Sequence, residues 1–324
     1  MSMLLPPFEL HEPTSVKEAV ALKAQYPDSD FVAGGTDLLP NYKWGLNTRT
    51  HVISLARVEE MRELTTLRIG ALVTLARIEK SGMLATSLPV LPQAAKQIAT
   101  PLLRASGTLG GNLLLENRCF FFNQTHFWRK SLGYCLKADG DGCRVVPQKE
   151  RCYATFSADM PAALMVLGAS MELSSATSGT RSLTLAQFYD GQDGIARNSK
   201  QADELVTSVT LPKDATQWRA SYKKLRLRES FDFPELGIAA AVRFDGQRLA
   251  GFRLVANALD TKPIVLDHLG ANALGKPLQD EDIKNIAKAA EGSVRPVKNT
   301  NLPPSYRKAM TRVFTERVLR EIRH

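Results

Sequence analysis

The four cysteines of this chain lie in one segment, and their thiols could hold a metal. Cys119, Cys135, Cys143 and Cys152 are separated by fifteen, seven and eight residues, and the sequence has no other cysteine. Disulfides are not expected in a reducing compartment, whereas four thiolates suit a Cys₄ site for zinc or an iron–sulfur cluster. Structural zinc sites usually pair cysteines as CxxC. The wider spacing therefore favours a cluster, with zinc and no metal as the alternatives.

Aromatic residues surround the first cysteine and would supply the low-polarity shell that tunes a cluster, unless they only pack the loop. These residues are Phe120, Phe121, Phe122, Phe127 and Trp128. No two histidines are paired at helical ligand spacing, so surface or packing positions are expected for most of them. The five histidines are His11, His51, His126, His268 and His324.

Two glycine turns could bind phosphate. The segment FVAGGTDLLP at 31–40 and the segment TLGGN at 108–112 each place a pair of glycines in a tight turn. Such turns let backbone N–H groups approach a phosphate, although glycines often serve the turn alone. Two turns strengthen the hypothesis because a diphosphate has two phosphates. Hydrolase motifs of the GxSxG, HExxH and Walker types do not occur.

The hydrophobic pattern predicts the elements that position these turns. Strands at 8–10, 31–33 and 52–55, with a helix opening at 13–15, make a small βαβαβ unit. A second unit has strands at 67–69, 170–173 and 204–211, and helices from Thr74, near 88–99 and from Asp159, which is predicted as an N-cap. After a break near 213, a hairpin of 236–244 and 248–256 turns at Asp245 and Gly246. Helices at 281–290 and 305–322 close the chain.

Composition and charge narrow the functional classes. The 324 residues are 44% hydrophobic, which predicts a globular chain of about two domains. The N-terminus lacks a basic region before its two prolines, and no apolar run nears the ~20 residues of a membrane span. A cytoplasmic protein is therefore expected. The net charge of +9 is scattered, as on a solvated basic surface or a face that docks acidic partners, and nucleic acid is not the expected ligand.

The order of these motifs resembles the flavin-binding subunits of the xanthine dehydrogenase and carbon monoxide dehydrogenase family. AGGTDLL at 33–39, TLGGN at 108–112 after a helix end at 98–104, DMPAAL at 159–164 and PSYR at 304–307 carry the resemblance over nearly the whole chain.

The resemblance implies an α+β fold with a two-part FAD-binding domain of this flavin-subunit type (PCMH-like) over residues 1–213. Its subdomains would cover about 1–55 and 56–213, with a cluster-binding insertion at about 116–156. A smaller α+β flavoprotein domain would follow at 214–324.

The resemblance also implies which residues contact FAD, and it implies no catalytic residue on this chain, since substrate binds another subunit. The implied FAD contacts are Val32, Ala33, Gly34, Gly35, Thr36, Asp37, Leu38, Ile98, Thr108, Leu109, Gly110, Gly111, Asn112, Asp159 and Lys224.

The insertion departs from most of the family, because roughly forty extra residues precede DMPAAL, far beyond an ordinary loop. It resembles the 4-hydroxybenzoyl-CoA reductase branch, which implies a [4Fe-4S] cluster on the four cysteines beside FAD. The partners would be a large molybdopterin subunit, a small [2Fe-2S] subunit and ferredoxin as electron donor. Electrons would pass via the cluster and FAD toward molybdenum, where 4-hydroxybenzoyl-CoA is reduced to benzoyl-CoA in anaerobic aromatic degradation.

Two rival functions remain. The flavin subunit of an oxidative molybdenum hydroxylase, with zinc or nothing on its cysteines, would bind FAD but no cluster. A non-enzymatic basic zinc protein that binds nucleic acid would bind neither flavin nor iron, and its binding would weaken steeply with salt.

Overall fold

A computed structural model describes residues 4–323. His324 and the first three residues, part of the segment used to predict that no secretory signal is present, lie outside the described residues. The first unit is a parallel sheet of order β1-β3-β2. Its elements are β1 (Glu9–His11), α1 (Val16–Gln25), β2 (Ser29–Val32), α2 (Leu38–Lys43) and β3 (His51–Ser54). The predicted βαβαβ unit is confirmed, and Ser15 caps α1 by accepting a hydrogen bond from the Glu18 N–H.

The second unit is an antiparallel sheet of order β4-β7-β5-β6 packed with short helices. Its elements are β4 (Arg68–Gly70), α3 (Leu75–Glu79), α4 (Gly82–Ser87), α5 (Val90–Lys96), α6 (Pro101–Ser106), α7 (Leu109–Leu113), α8 (His126–Ser131), α9 (Met160–Val166), β5 (Ser170–Ser175), β6 (Gly179–Thr184), α10 (Leu185–Phe188) and β7 (Leu205–Thr210). The helix predicted near 88–99 is shorter in the structure, because α5 ends at Lys96. Ala99 then adopts a φ of +46°, and Thr100 caps the next helix, α6. Strand β6 was not predicted.

The third unit is an antiparallel sheet of order β11-β10-β9-β8 covered by two long helices. Its elements are β8 (Arg219–Leu225), β9 (Leu236–Asp245), β10 (Arg248–Asn257), β11 (Ile264–Val265), α11 (Asp280–Ser293) and α12 (Pro304–Ile322). The predicted hairpin is confirmed, with Gly246 at a φ of +58° in its turn. In the PSYR segment, Arg307 is fully buried and donates hydrogen bonds to the carbonyls of Glu235 and Val297.

Strand β9 joins two hydrophobic cores. Ala239 and Ala241 face the core of the first two units, whereas Ile238, Ala240 and Val242 face the core beneath α11 and α12. Successive side chains of a strand point to opposite faces, so a strand buried on both sides has a continuous apolar sequence. The C-terminal sheet therefore packs directly against the part of the chain that carries both glycine turns. No helix within residues 4–323 is long and apolar enough to cross a bilayer.

Candidate functional site

An open cavity of about 870 Å³ lies between the first two units. Its wall consists of β2 and the turn after it, the connection from α6 to α7, residue Asp159, and the loop at 231–233. The volume is in the range of cofactor pockets, about 300–1,000 Å³. Both predicted phosphate turns therefore face one cavity.

The two glycine turns contact each other. A Cβ on Gly34 would lie 2.0 Å from the carbonyl oxygen of Ser106, and the Ser106 hydroxyl donates a 2.9 Å hydrogen bond to the Gly34 carbonyl. A Cβ on Gly107 would lie 3.4 Å from the Thr36 hydroxyl. Only glycine allows this approach at residue 34, so each turn depends on the other for its position.

The first turn offers free backbone donors to the cavity. Gly35 has a φ of +69°, which turns the chain between β2 and α2. Within the described residues, nothing accepts a hydrogen bond from the N–H groups of Gly34, Gly35, Thr36 or Asp37. Backbone donors without a protein partner at a cavity wall suit an anionic ligand such as a phosphate.

Charged side chains of both signs line the cavity. The cations are Lys23, Arg49, Arg118, Arg197 and Lys200, and the carboxylates are Asp30, Asp37, Glu116, Asp159, Glu204 and Asp232. Burial, followed by the nearby Lys23, lowers the pKa of Lys200 to about 8. Arg118 is paired with Asp37, and its guanidinium carbon lies 4.6 Å from the centre of the Phe233 ring. This group could not be predicted from sequence patterns, because its members come from separate elements.

Asp159 lies on the cavity wall as a fully buried carboxylate. It accepts a 2.6 Å hydrogen bond from the Tyr222 hydroxyl and a 3.0 Å hydrogen bond from the Lys224 ammonium, both on β8. Burial raises the pKa of Asp159, while the Lys224 charge opposes that rise. The predicted start of α9 is confirmed, with Asp159 at the N-cap position and Pro161 in the first turn, but the Asp159 carboxylate makes no cap hydrogen bond and binds β8 instead.

The structure brings most of the predicted FAD contacts to this cavity. The predicted residues that line it are Val32, Ala33, Gly34, Gly35, Thr36, Asp37, Leu38, Ile98, Thr108, Gly110, Gly111, Asn112 and Asp159. Leu109 and Lys224 are placed elsewhere. Leu109 packs in the hydrophobic core. Lys224 does not line the cavity, but it forms an ion pair with Asp159, which does.

The four cysteines converge on a second, small cavity, and all are buried with free thiols. Phe121 and Phe122 also line it. Phe120 and Phe127 are instead largely exposed, so the predicted aromatic shell is only partial. His126 is exposed and contacts the Tyr134 hydroxyl at 3.2 Å, outside this cavity.

The spacing of the thiols bears on the size of the group that they could hold. In the described part of the chain, no three of the cysteine sulfurs lie within 4.8 Å of one another. A tetrahedral zinc ion with bonds of about 2.3 Å would need sulfurs about 3.8 Å apart. The cysteine sulfurs are therefore not already arranged around a single tetrahedral ion.

The surroundings of the thiols favour their protonated form. Burial raises the pKa of Cys119 and raises that of Cys152 to about 11. A metal bound here would deprotonate these thiols, since coordination takes place through thiolates.

The cysteine segment leaves and rejoins the fold at one point. Arg118 and Thr155 exchange backbone hydrogen bonds of 2.8 and 2.7 Å, and the Asn117 side chain donates to the Ala154 carbonyl. We call residues 119–154 the cysteine loop. Its residue Phe122 lines both cavities, so one side chain stands between the thiols and the large cavity.

Known proteins share the sequence and fold of this chain. Residues 6–214 match the family described as FAD binding domain in molybdopterin dehydrogenase, and residues 220–322 match the family described as CO dehydrogenase flavoprotein C-terminal domain. The chain is 33% identical over 248 residues to the aldehyde oxidoreductase FAD-binding subunit PaoB of Escherichia coli (strain K12), spanning 73% of this chain and 78% of that protein.

It is also 26% identical over 317 residues to the carbon monoxide dehydrogenase medium chain of Afipia carboxidovorans, spanning 96% and 95% of the two chains. Among solved structures, it matches a chain of the carbon monoxide dehydrogenase from Hydrogenophaga pseudoflava with a TM-score of 0.79 at 25% identity, over 98% of each chain. The predicted α+β fold, an FAD-binding domain followed by a smaller C-terminal domain, is confirmed.

Replacing Gly34 by alanine should weaken FAD binding. The new Cβ would collide with the Ser106 carbonyl, and separating the turns should cost about 1–3 kcal/mol, or about five- to 150-fold in affinity. Flavin fluorescence titration would measure the loss. Gly82→Ala is the matched control, because a Cβ there meets nothing within 4 Å. Equal affinity in both variants would contradict the contact between the turns.

Replacing Lys224 by methionine should destabilise the fold in a pH-dependent way. Asp159 would be left buried and unpaired, at a cost of about 3–5 kcal/mol. Its pKa in the folded state would then lie further above the unfolded value of about 3.9, so the loss should be largest near pH 8 and shrink as the pH falls toward 5. Urea unfolding across that range would measure it.

Two variants control this experiment. Lys223→Met removes a half-exposed pair with Glu321 and should cost less than about 1 kcal/mol. The double variant Asp159→Asn with Lys224→Met should lose the pH dependence. If Lys224→Met alone showed none, the buried ion pair would not be the cause.

Proposed function

This chain belongs to the family of flavin-binding subunits of the xanthine and carbon monoxide dehydrogenase type, and from that membership we propose that it is an electron-transfer subunit with two redox groups. FAD would occupy the large cavity, and an iron–sulfur cluster of the [4Fe-4S] type would be held by Cys119, Cys135, Cys143 and Cys152. When bound, FAD supplies one- and two-electron exchange and the cluster supplies one-electron exchange.

One observation carries the proposal: Phe122 lines both cavities. Groups held in the two cavities would both border this ring, which is 2% exposed. This placement supports a cluster that serves electron transfer, because a purely structural metal has no need to adjoin the flavin cavity.

The chain's own residues have distinct tasks in this role. The unpaired N–H groups of Gly34 to Asp37 would bind the FAD diphosphate, and the cations of the cavity would balance its charge. Asp159 would meet the cofactor as a carboxylate fixed by Lys224. Phe121 and Ala154 would lie against the cluster, since both line the cavity among the cysteines.

The partners and the reaction extend this proposal. A large molybdopterin subunit and a small [2Fe-2S] subunit would complete a cytoplasmic enzyme. With ferredoxin as donor, the complex would reduce 4-hydroxybenzoyl-CoA to benzoyl-CoA. The cysteine loop supports this direction through its likeness to that branch of the family, and the net charge of +9 suits an acidic ferredoxin.

A second candidate runs in the oxidative direction. The relative that is 33% identical is an aldehyde oxidoreductase subunit, and the medium chain from Afipia carboxidovorans belongs to a carbon monoxide dehydrogenase. These names favour a complex in which substrate is oxidised at molybdenum and electrons leave through this chain. Aldehydes are the substrate class that this candidate predicts.

Metal and flavin analysis of the anaerobically purified chain tests the redox groups. We expect about four irons with matching sulfide per FAD. Cys143→Ala should lose most of the iron but keep FAD, whereas Ser131→Ala, in the same loop, should keep both. One zinc per chain in place of iron, or iron that survives Cys143→Ala, would refute the cluster.

A test of the direction of electron flow requires the complete complex. With reduced ferredoxin and 4-hydroxybenzoyl-CoA, we expect benzoyl-CoA to form, with no reduction of an electron acceptor by aromatic aldehydes. The converse result, in which aldehydes reduce an added acceptor and no benzoyl-CoA appears, would replace the first reaction by the oxidative one. Chromatography of the thioesters and dye reduction are the two readouts.

A further inference from the structure

A second group of possible metal ligands lies outside the cysteine loop. Glu9 and His11 are two residues apart on β1, so their side chains share one face of the strand. His51 begins β3 and is the parallel partner of Glu9 in the sheet. Two imidazoles and one carboxylate therefore meet at the edge of the first unit.

The distances between these groups match a metal site. The His11 Nε2 atom lies 3.1 Å from the His51 Nδ1 atom. Carboxylate oxygens of Glu9 lie 3.8 Å from His11 Nε2 and 3.7 Å from His51 Nδ1. Ligands that bind zinc at about 2.0–2.1 Å in a tetrahedron are about 3.3 Å apart. Small rotations of the side chains would bring all three to that spacing.

The two imidazoles are held in place before any ligand arrives. The Tyr26 ring, which follows α1, stacks on His11 at 4.6 Å and on His51 at 4.2 Å between ring centres. The side chains of His11 and His51 are 12% and 28% exposed, while that of Glu9 is 63% exposed. The rings are therefore ordered, and the carboxylate side leaves a route from solvent.

We propose that Glu9, His11 and His51 bind a divalent transition metal of the zinc class. Two histidines and one carboxylate are a known set of protein ligands for zinc, with water in the fourth position. In the metal-free protein the two facing nitrogens share one proton in a hydrogen bond, and the metal takes the place of that proton.

The metal would link β1, a strand of three residues at the sheet edge, to β3. The chain between them carries β2 and the first glycine turn. Since a ligand that binds only the folded state stabilises it, zinc should raise the thermal midpoint of the FAD-binding part. This site does not depend on the proposed function, because none of its residues lines either cavity.

Zinc binding to the protein with its FAD and iron retained tests the site. After equilibrium dialysis, wild type should hold one zinc per chain beyond any metal on the cysteines. His51→Gln and Glu9→Gln should each weaken that zinc by at least about tenfold. His268→Gln, which changes an exposed histidine elsewhere, should bind as wild type does. Unchanged FAD content would show that the variants fold.

Cobalt separates this site from the cysteines. Cobalt at Glu9, His11 and His51 should give weak visible bands without the intense thiolate bands of a sulfur site. Zinc should also raise the thermal midpoint of wild type but not that of His51→Gln. Equal zinc in wild type and His51→Gln, or cobalt bands of thiolate type alone, would overturn the proposal.

Discussion

The buried ion pair between Asp159 and Lys224 governs how the cavity is built. Taking a carboxylate out of water costs several kcal/mol, and here hydrogen bonds from Lys224 and Tyr222 offset much of that cost. Both partners lie on β8, whereas Asp159 precedes α9 in the second unit. The cavity wall is therefore complete only when the C-terminal sheet is docked. Strand β9 is buried on both faces, so its apolar contacts also form only when the C-terminal sheet is docked.

The cysteine loop differs from the rest of the fold in having only a small hydrophobic core. Its hydrophobic cluster has six buried members, of which three are cysteines; they are Leu46, Cys119, Phe122, Cys135, Cys152 and Ala154. Such a small core contributes little to the stability of the loop. Binding of a metal by the four thiolates would therefore be the main interaction that orders it. The main fold, in contrast, has extensive apolar cores. Loss of a metal from the loop would therefore leave the large cavity folded but would change the position of Phe122 in its wall.

Local motifs made part of this site predictable. The glycine turns and the cysteine segment were found because their residues lie close together in the sequence. Asp159 was correctly placed before α9, but its bond to Lys224 was not predicted because the two residues are distant in the chain. Likewise, helical spacing could not reveal that His11 and His51 meet, since only the pairing of β1 with β3 brings them together. Residue patterns within a short segment do not show which distant segments pair in the fold.

The two-way hydrogen bond between Arg118 and Thr155 has a consequence for how the cysteine loop could be moved to another protein. Facing residues of such a pair have Cα atoms about 5.5 Å apart, a gap that an ordinary two-residue hairpin turn spans. The segment between them is also bound to the rest of the chain, since the Cys152 N–H donates to the Asp193 carboxylate and the Asn299 side chain donates to the Tyr153 carbonyl. A protein engineer who grafted the segment between the same two positions of a relative would have to transfer these outside partners with it.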